Sequence, residues 1–304
     1  MISLVVLSYN HRDYIIETLD SAYSLCVDKE VIIIDDGSSD GSDVIISEYI
    51  NNNSYENITK FVSKKNAGLV SSLNLALEIV SGEYIFFIAS DDIIIPDGFV
   101  NLYDNILSNK KIKAAMGNSY IYYEGQVPSK LVYNNEHVEF FNQNDIELRE
   151  NIFLDFPKPL LLQTVIFKTQ VLQNMKGWDP KLVWDDYPMF VKLLHNLSNE
   201  NNEFLFLKDI IVSKYRQHDS NTYKNITKQV SIMEETFKKI VPENLYKKAI
   251  SNQYAFYFLI SLREKNWMMC QTIVEKIISE RIVFKSLKNL IHQAISWIYR
   301  RFSR

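Results

Sequence analysis

An apolar run at residues 84–89 ends almost at once in two neighbouring carboxylates, Asp91 and Asp92. A run of this composition is typical of a strand buried in a sheet, so the two acidic side chains are expected at the edge of that sheet. Carboxylate oxygens are hard ligands that suit Mg²⁺ or Mn²⁺, ions that take further ligands from water and substrate phosphates. The feature predicts a divalent-metal site, with a simple turn and helix cap as the open alternative.

The first hundred residues alternate short β-branched or aromatic runs with amphipathic segments, which predicts an α/β fold with a mostly parallel sheet covered by helices. Strands are expected at residues 2–7, 30–35, 58–63 and 84–89. Helices are expected to begin near His11, Gly41, Ala67 and Asp97. Further strands are expected at 114–123, 164–168, 204–207 and 210–215. The polar segment between the first two of these strands is expected to be irregular, and the chain from Asn225 onward is expected to be helical.

In open α/β sheets, ligands bind outside the carboxyl ends of the strands. Here those ends carry three polar clusters, Ser8-Tyr9-Asn10, Asp35-Asp36-Gly37-Ser38 and Asp91-Asp92. Neither a GxGxxG nor a GxxxxGK[ST] motif follows the first strand, which disfavours a dinucleotide-binding dehydrogenase and a P-loop enzyme. The clusters therefore predict one polar binding edge that lacks a glycine-rich phosphate loop.

Composition narrows the class of protein further. With 304 residues, of which 47% are hydrophobic, the chain can bury the core of one large domain or of one domain with an appendage. The formal net charge of -4 gives no reason to expect a nucleic-acid partner. Cys26 and Cys270 lie far apart without CxxC spacing, which argues against disulfides and structural zinc and indicates a reducing compartment. No secretory signal pattern and no apolar run of ~20 residues is present, so a cytoplasmic, non-spanning protein is expected.

Taken in order, seven short motifs resemble those of the nucleotide-sugar glycosyltransferases of family 2, which have a GT-A fold with a Rossmann-like sheet. They lie within the first 220 residues and are Ser8-Tyr9-Asn10, the run Asp35-Asp36-Gly37-Ser38-Ser39-Asp40, Asn66-Ala67-Gly68, Ser90-Asp91-Asp92, Gly177-Trp178-Asp179, Asp185-Asp186 and Arg216-Gln217-His218. We expect a catalytic domain at 1–222, with a nucleotide-sugar-binding half at 1–112 and an acceptor-binding half at 113–222. A helical extension is expected at 223–304.

The resemblance assigns donor-binding roles to several of these residues. Ser8, Tyr9 and Asp36 are expected to contact the uridine of a UDP-sugar, with Tyr9 stacked on the base and Asp36 accepting from its N–H group. A second set is expected to line the rest of the donor site: Asn66 and Gly68 at a helix start that favours anionic groups, Asp91 at the ribose or sugar, and Trp184 and Asp185 beside the sugar.

The metal, Mn²⁺ or Mg²⁺, is expected to bind Asp92, the last acidic residue of a motif that reads Ser90-Asp91-Asp92 instead of a literal DxD. His218 aligns with a histidine that some relatives use as a further ligand, although a lone histidine is more often structural. Asp186 is expected to be the catalytic base, opposite the leaving group, where it takes the proton of the attacking hydroxyl. Both Asp185 and Asp186 could alternatively serve as helix-capping and first-turn residues.

The last segment, residues 281–304, is basic and amphipathic. It contains Arg281, Lys285, Lys288, Arg300, Arg301 and Arg304 and no acidic residue. This pattern predicts an interfacial helix on an anionic membrane surface, at the inner face of the cell membrane. The acceptor is then expected to be a lipid-linked saccharide, on a polyprenyl diphosphate, in bacterial O-antigen or capsule synthesis. The alternative is a helix packed on protein with its basic face in water.

Two other functions stay open. A sugar-phosphate nucleotidyltransferase could use the same sheet edge, but such enzymes usually carry a glycine-rich basic loop after the first strand, and none is present here. A catalytically silent nucleotide-sugar-binding or scaffold protein would keep Asp36 and Asp92 without needing a base. The presence of Asp186 argues against the silent alternative, and an inverting hexosyltransferase is the favoured function.

Overall fold

The computed structural model describes residues 1–218 and 225–302, with side chains described as far as Ile295. This part of the chain forms two compact units. The first comprises Met1–Leu148 and Pro157–His218, and the second comprises Arg149–Phe156 together with the helices from Ile226 onward. The predicted domain boundary at residue 222 lies in the segment 219–224, outside the described residues.

The strands are β1 (Ile2–Ser8), β2 (Lys29–Asp35), β3 (Thr59–Ser63), β4 (Tyr84–Ala89), β5 (Ile93–Ile94), β6 (Ala114–Tyr122), β7 (Lys130–Leu131), β8 (Val165–Lys168) and β9 (Phe204–Arg216). The helices up to residue 218 are α1 (Ile15–Tyr23), α2 (Ser42–Asn52), α3 (Leu69–Ile79), α4 (Pro96–Ser108), α5 (Asn135–Phe141), α6 (Asp145–Leu154), α7 (Thr169–Asn174) and α8 (Asp186–Asn196). A 3-10 turn at Leu162–Thr164 precedes β8.

The strands of the first unit form one sheet, whose first half runs parallel in the order β3-β2-β1-β4. The sheet continues through β8, β6, β9 and β5, and β8 is antiparallel to both of its neighbours. Strands β1, β2 and β4 are buried along almost their whole length, because helices cover the sheet. The predicted α/β fold is confirmed, and the parallel arrangement holds for the four N-terminal strands.

Two predictions for the second half of the sheet are wrong. The expected strands at 204–207 and 210–215 form the single strand β9, which pairs with β6 through an irregular register around Asn118. The Asn118 side chain compensates there, because it accepts from Tyr133 N–H (2.9 Å) and donates to the carbonyl of Lys208 (2.9 Å). The polar segment expected to be irregular contains β7, α5 and α6.

The second unit is helical, as predicted. Its helices are α9 (Ile226–Ile240), α10 (Glu243–Arg263), α11 (Trp267–Ser279) and α12 (Val283–Phe302), and α10 packs against each of the other three. Within the described ranges, no helix combines the length and the apolar character needed to cross a bilayer.

Between residues 283 and 295, helix α12 directs two polar side chains toward α10 and several apolar side chains toward solvent. Asn289 donates to Ser251 Oγ (2.9 Å), and Gln293 donates to the carbonyl of Asn252 (3.1 Å). The exposed side forms an apolar stripe at helical spacing, made of Phe284, Leu287, Ile291 and Ile295. This is the reverse of the usual arrangement for a helix on a protein core.

Gly98 lies where α4 packs closely on β9. A Cβ atom at this position would lie 1.8 Å from the carbonyl oxygen of Ile211. We expect Gly98→Ala to lower the free energy of unfolding by about 3 kcal/mol, because overpacking against rigid backbone forces the two elements apart. Thermal and denaturant unfolding followed by circular dichroism measure this loss.

Gly125→Ala is the matched control for that substitution. A Cβ at Gly125 would meet no heavy atom within 4 Å, so its cost is limited to the left-handed backbone, about 1–2 kcal/mol. Equal losses of stability in the two variants would contradict the close packing of α4 on β9.

Candidate active site

The carboxyl ends of the parallel strands meet at one edge of the sheet. Ser90 N–H donates to the carbonyl of Leu7 (2.9 Å), and Asp36 N–H donates to the carbonyl of Ser8 (2.8 Å). These bonds extend the strand ladders by one step into the loops. The polar clusters that follow β1, β2 and β4 are therefore neighbours, as predicted from strand order.

Asp92 is buried inside this edge, with 1% of its surface exposed. Its Oδ1 accepts from the backbone N–H of Arg216 (2.8 Å), and its Oδ2 accepts from Gln163 Nε2 (2.9 Å). Burial raises the pKa of Asp92 well above its usual range, and the neighbouring Asp91 raises it further. The structure thus places Asp92, the predicted metal ligand, where both of its oxygens serve to hold the protein together.

Asp91 instead faces two histidines. Its Oδ2 lies 2.8 Å from His218 Nε2, and its Oδ1 lies 3.7 Å from His11 Nδ1. One ligand atom from each of these three residues lies within 4.8 Å of the others. The donor set of two imidazoles and one carboxylate suits a divalent transition ion. His11 is absent from the predicted site residues, although it directly follows the Ser8-Tyr9-Asn10 motif.

Arg216 joins the acidic turn to three other segments. Its Nε donates to the carbonyl of Asp91 (2.7 Å), and its guanidinium pairs with Glu17 and Glu124. The guanidinium also lies over the rings of Tyr14 and Tyr122, 5.0 Å and 4.9 Å from their centroids.

Tyr14 connects this arginine to the histidine cluster. Its ring stacks on the imidazole of His218 with centroids 4.9 Å apart, and it also lies beneath the Arg216 guanidinium. The ring of His218 is therefore held from one face by an aromatic residue and from one edge by Asp91. Tyr14 had no place among the predicted site residues, because nothing in its local sequence distinguishes it from a core aromatic.

Asp186 is the first residue of α8, and its Oδ1 accepts from the N–H of Leu162 (2.8 Å). Burial and the adjacent Asp185 raise the pKa of Asp186 well above its usual range, and burial raises the pKa of Asp185 to about 6. Leu162 and Gln163 are adjacent in the 3-10 turn, and Gln163 donates to Asp92 (2.9 Å). One turn therefore contacts both acidic pairs.

The two tryptophans near Asp186 differ in their surroundings. Trp184 is partly exposed, and its ring centroid lies 4.9 Å from that of Tyr187. Trp178 is buried edge-on against Phe87, as expected of a core residue.

The turns after β1 and β2 are bonded to each other. Ser8 Oγ donates to Asp35 Oδ2 (3.1 Å), Asn10 N–H donates to Ser38 Oγ (2.8 Å), and Ser39 N–H donates to Asn10 Oδ1 (2.8 Å). Ser8 is thereby buried, whereas Tyr9 at the crest of the turn is 48% exposed. An exposed aromatic face on a fixed turn is a suitable platform for a planar base.

Asp36 is engaged by the protein itself. Its carboxylate accepts from the N–H groups of Ala67 (2.9 Å) and Gly68 (2.8 Å) and pairs with Lys64. Gly37 permits this contact, because a Cβ there would lie 2.7 Å from the backbone nitrogen of Asn66. Asp36 therefore fixes the exposed turn that carries Asn66 and Gly68, and Lys64 is a partner that the sequence did not reveal.

The chain is similar in sequence to a bacterial polysaccharide synthase. Poly-beta-1,6-N-acetyl-D-glucosamine synthase of Staphylococcus epidermidis is 27% identical over 194 residues, which are 63% of this chain and 45% of that protein. The chain thus spans less than half the length of this relative.

Two solved structures share the fold. S. aureus TarS 1-349 in complex with UDP-GlcNAc has a TM-score of 0.58 at 17% identity, covering 99% of this chain and 91% of that one. The mannosyltransferase PcManGT from Pyrobaculum calidifontis, in complex with GDP-Man and Mn²⁺, has a TM-score of 0.58 at 14% identity, covering 98% and 87%. These likenesses confirm the predicted GT-A architecture of a central sheet flanked by helices.

The family model described as Glycosyl transferase family 2 matches residues 3–167, which is more than half of the chain. The motifs that carry the resemblance up to β8 lie inside this matched region. The protein belongs to glycosyl transferase family 2.

Proposed function

We propose that the protein is a metal-dependent, inverting glycosyltransferase that moves a hexose or N-acetylhexosamine from a UDP-sugar to a saccharide hydroxyl. The observation that carries the proposal is the turn at Leu162–Thr164, which contacts Asp186 and Asp92 through adjacent residues. A candidate base and a candidate metal site therefore share one support. The UDP-GlcNAc named with TarS agrees with a UDP-sugar donor.

Asp91 and His218 are our candidates for metal ligands, in place of Asp92. The fit rests on their donor atoms, 2.8 Å apart, which is a separation that two ligands of one ion can adopt. A bound Mn²⁺ or Mg²⁺ would neutralise the charge that develops on the departing diphosphate. Asp92 then has the separate role of fixing the turn that presents Asp91.

Asp186 is our candidate for the base. The hydroxyl of the acceptor attacks the anomeric carbon while the bond from that carbon to the diphosphate oxygen breaks, and the carboxylate takes the hydroxyl proton. The hydrogen bond from Leu162 N–H holds the carboxylate in place. Burial and the neighbouring Asp185 raise the pKa of Asp186, which makes its carboxylate a stronger base.

The donor nucleotide is assigned to the turns at the sheet edge. Tyr9 provides the stacking face, and Ser8 supports its turn from below by bonding Asp35. The Asp36 carboxylate is occupied by the Asn66–Gly68 turn and is not open to the nucleotide. In this proposal the exposed backbone of that turn faces the nucleotide. Trp184 and Asp185, which flank the base, are assigned to the donor sugar.

The acceptor is proposed to be a polyprenyl-diphosphate-linked saccharide at the inner face of the cell membrane, in the synthesis of a bacterial surface polysaccharide such as O-antigen or capsule. The support is the apolar stripe of α12, beside which Arg281, Lys285 and Lys288 are exposed. Apolar and basic side chains together favour an anionic bilayer surface. The side chains of Arg300, Arg301 and Arg304 lie outside the described residues. The name of the S. epidermidis relative, a polysaccharide synthase, agrees with this class of product.

We expect Asp186→Asn to reduce sugar transfer by about 10²- to 10⁴-fold, because the amide cannot accept the hydroxyl proton. UDP affinity should remain near normal in isothermal titration, since Asp186 is not assigned to the nucleotide. Asp209→Asn, at an exposed carboxylate, is the control and should transfer normally. Transfer that persists in Asp186→Asn would exclude Asp186 as the base.

The transfer rate should fall as the pH is lowered through the raised pKa of Asp186, because the protonated carboxyl cannot act as a base. Asp185→Asn removes a neighbouring negative charge, which lowers the pKa of Asp186. The acid limb of the kcat/KM profile should therefore move to lower pH in this variant. An unchanged limb would mean that another group sets the pH dependence.

Leu287→Glu combined with Ile291→Glu should release the protein from vesicles that contain phosphatidylglycerol, because both changes place charge on the apolar stripe of α12. Co-sedimentation measures the bound fraction, which should also fall with added salt for the unmodified protein. Val127→Glu combined with Ile146→Glu alters exposed apolar residues elsewhere and should leave binding unchanged. Undiminished vesicle binding by the α12 variant would refute a membrane role for the stripe. If the unmodified protein is a dimer and the α12 variant is a monomer, the stripe contacts a second copy of the chain instead of a membrane.

A further inference from the structure

We propose that His11 is a direct ligand of the metal, so that two imidazoles and the carboxylate of Asp91 hold the ion and favour Mn²⁺ over Mg²⁺. The inference rests on the proposed function and deepens it in two ways. It adds a ligand from the start of the chain, and it assigns a metal preference.

The geometry of the cluster supports a shared ion. His11 Nδ1 lies 3.7 Å from Asp91 Oδ1, and the rings of His11 and His218 are nearly perpendicular, with centroids 5.9 Å apart. Two ligand atoms about 2.2 Å from one ion lie at most about 4.4 Å apart. The three ligand atoms lie within 4.8 Å of one another, close to the separations that ligands of one ion adopt.

The backbone of His11 is held from both sides. Its carbonyl accepts from the N–H groups of Tyr14 and Ile15 (both 3.0 Å) at the start of α1, and its own N–H donates to Ser42 Oγ (3.2 Å). The Cα of His11 is therefore fixed relative to the end of β1, which adjoins β4. A ligand on such a support loses little conformational entropy when it binds.

The site is also accessible to a cation. The His11 side chain is 23% exposed, and those of His218 and Asp91 are about a tenth exposed. A fully buried cluster would have to open before an ion entered, whereas this one lies at the surface of the sheet edge. Tyr14 covers one face of the His218 ring but does not cover Nε2, the nitrogen that faces Asp91.

The donor atoms determine the expected metal preference. Mg²⁺ is a hard cation that is bound mainly by carboxylates, water and phosphate oxygens. Imidazole nitrogen is a softer donor, and affinity for such ligands increases from Mn²⁺ along the first transition row. A site with a second imidazole therefore gains affinity for Mn²⁺ and little for Mg²⁺.

A positioning role is the competing explanation. His11 Nδ1 also lies 2.9 Å from Ser90 Oγ. In this explanation His11 does not bind the metal and only holds Ser90, which positions the adjacent Asp91. Such a role would alter metal affinity without placing a second nitrogen on the ion. The two explanations differ in the number of nitrogens that coordinate the metal, which spectroscopy can count.

The test is electron spin echo envelope modulation on Mn²⁺ bound to the 304-residue chain in the presence of UDP. Comparison of unlabelled protein with protein carrying ¹⁵N-histidine gives the number of coordinating imidazoles and needs no substitution. We expect two in the unmodified protein, one in His11→Gln, one in His218→Gln and two in Ser90→Ala. The last variant removes the hydrogen-bond partner of His11 and keeps the ligand.

Affinity provides the second readout. By titration calorimetry, His11→Gln should weaken Mn²⁺ binding by at least about 10-fold and Mg²⁺ binding by a clearly smaller factor. One imidazole in the unmodified protein, lost only in His218→Gln, would overturn the role of His11 and leave the proposed function intact. A protein that binds UDP but no metal would overturn this inference together with the metal-dependent mechanism, whereas transfer by Asp186→Asn would count against the base alone.

Discussion

The site depends on burying two adjacent carboxylates at the end of β4, which the end of β9 makes possible. An ionised carboxylate without partners inside a protein costs several kcal/mol or takes up a proton. Here Arg216 supplies its N–H to Asp92 and its Nε to the carbonyl of Asp91, while Gln163 binds the second oxygen of Asp92. Arg216 is itself buried and is balanced by Glu17 and Glu124. A single side chain thus connects β4, β9, α1 and the segment after β6.

In this arrangement Asp91 and Asp92 have different surroundings although they are residues of the same type. Asp92 points inward and secures the turn, which leaves Asp91 to face His11 and His218. Adjacent residues of one turn also hold the candidate base and the acidic turn, because the backbone of Leu162 binds Asp186 and the side chain of Gln163 binds Asp92. The candidate metal site and the candidate base are therefore positioned by one short turn. Leu162, Gln163, Asp186 and Asp92 all belong to the first compact unit.

Prediction from sequence succeeded where the signal is local. The parallel strands β1, β2 and β4 were expected within a residue or two of their bounds, because a buried strand bounded by polar residues is unambiguous. It failed for β9, which appeared as two strands because Lys208 and Asp209 interrupt its apolar pattern beside the irregular register at Asn118. It also missed α5 and α6, whose mixed polar and apolar residues lack a clear helical period. In the site, the adjacency of Asp91 and Asp92 was plain, but the direction in which each points was not.

The sequence by itself determined the fold class, the polar edge of the sheet and the family, because strand periodicity and the order of short motifs are carried by neighbouring residues. Only the tertiary structure decided which of two identical side chains faces the histidines. Asp91 and His218 are 127 positions apart, and their meeting depends on how β4 and β9 are placed in the sheet. The same holds for His11, which reaches the cluster because β1 adjoins β4. Contacts of this kind are set by the packing of whole strands, so no local pattern encodes them.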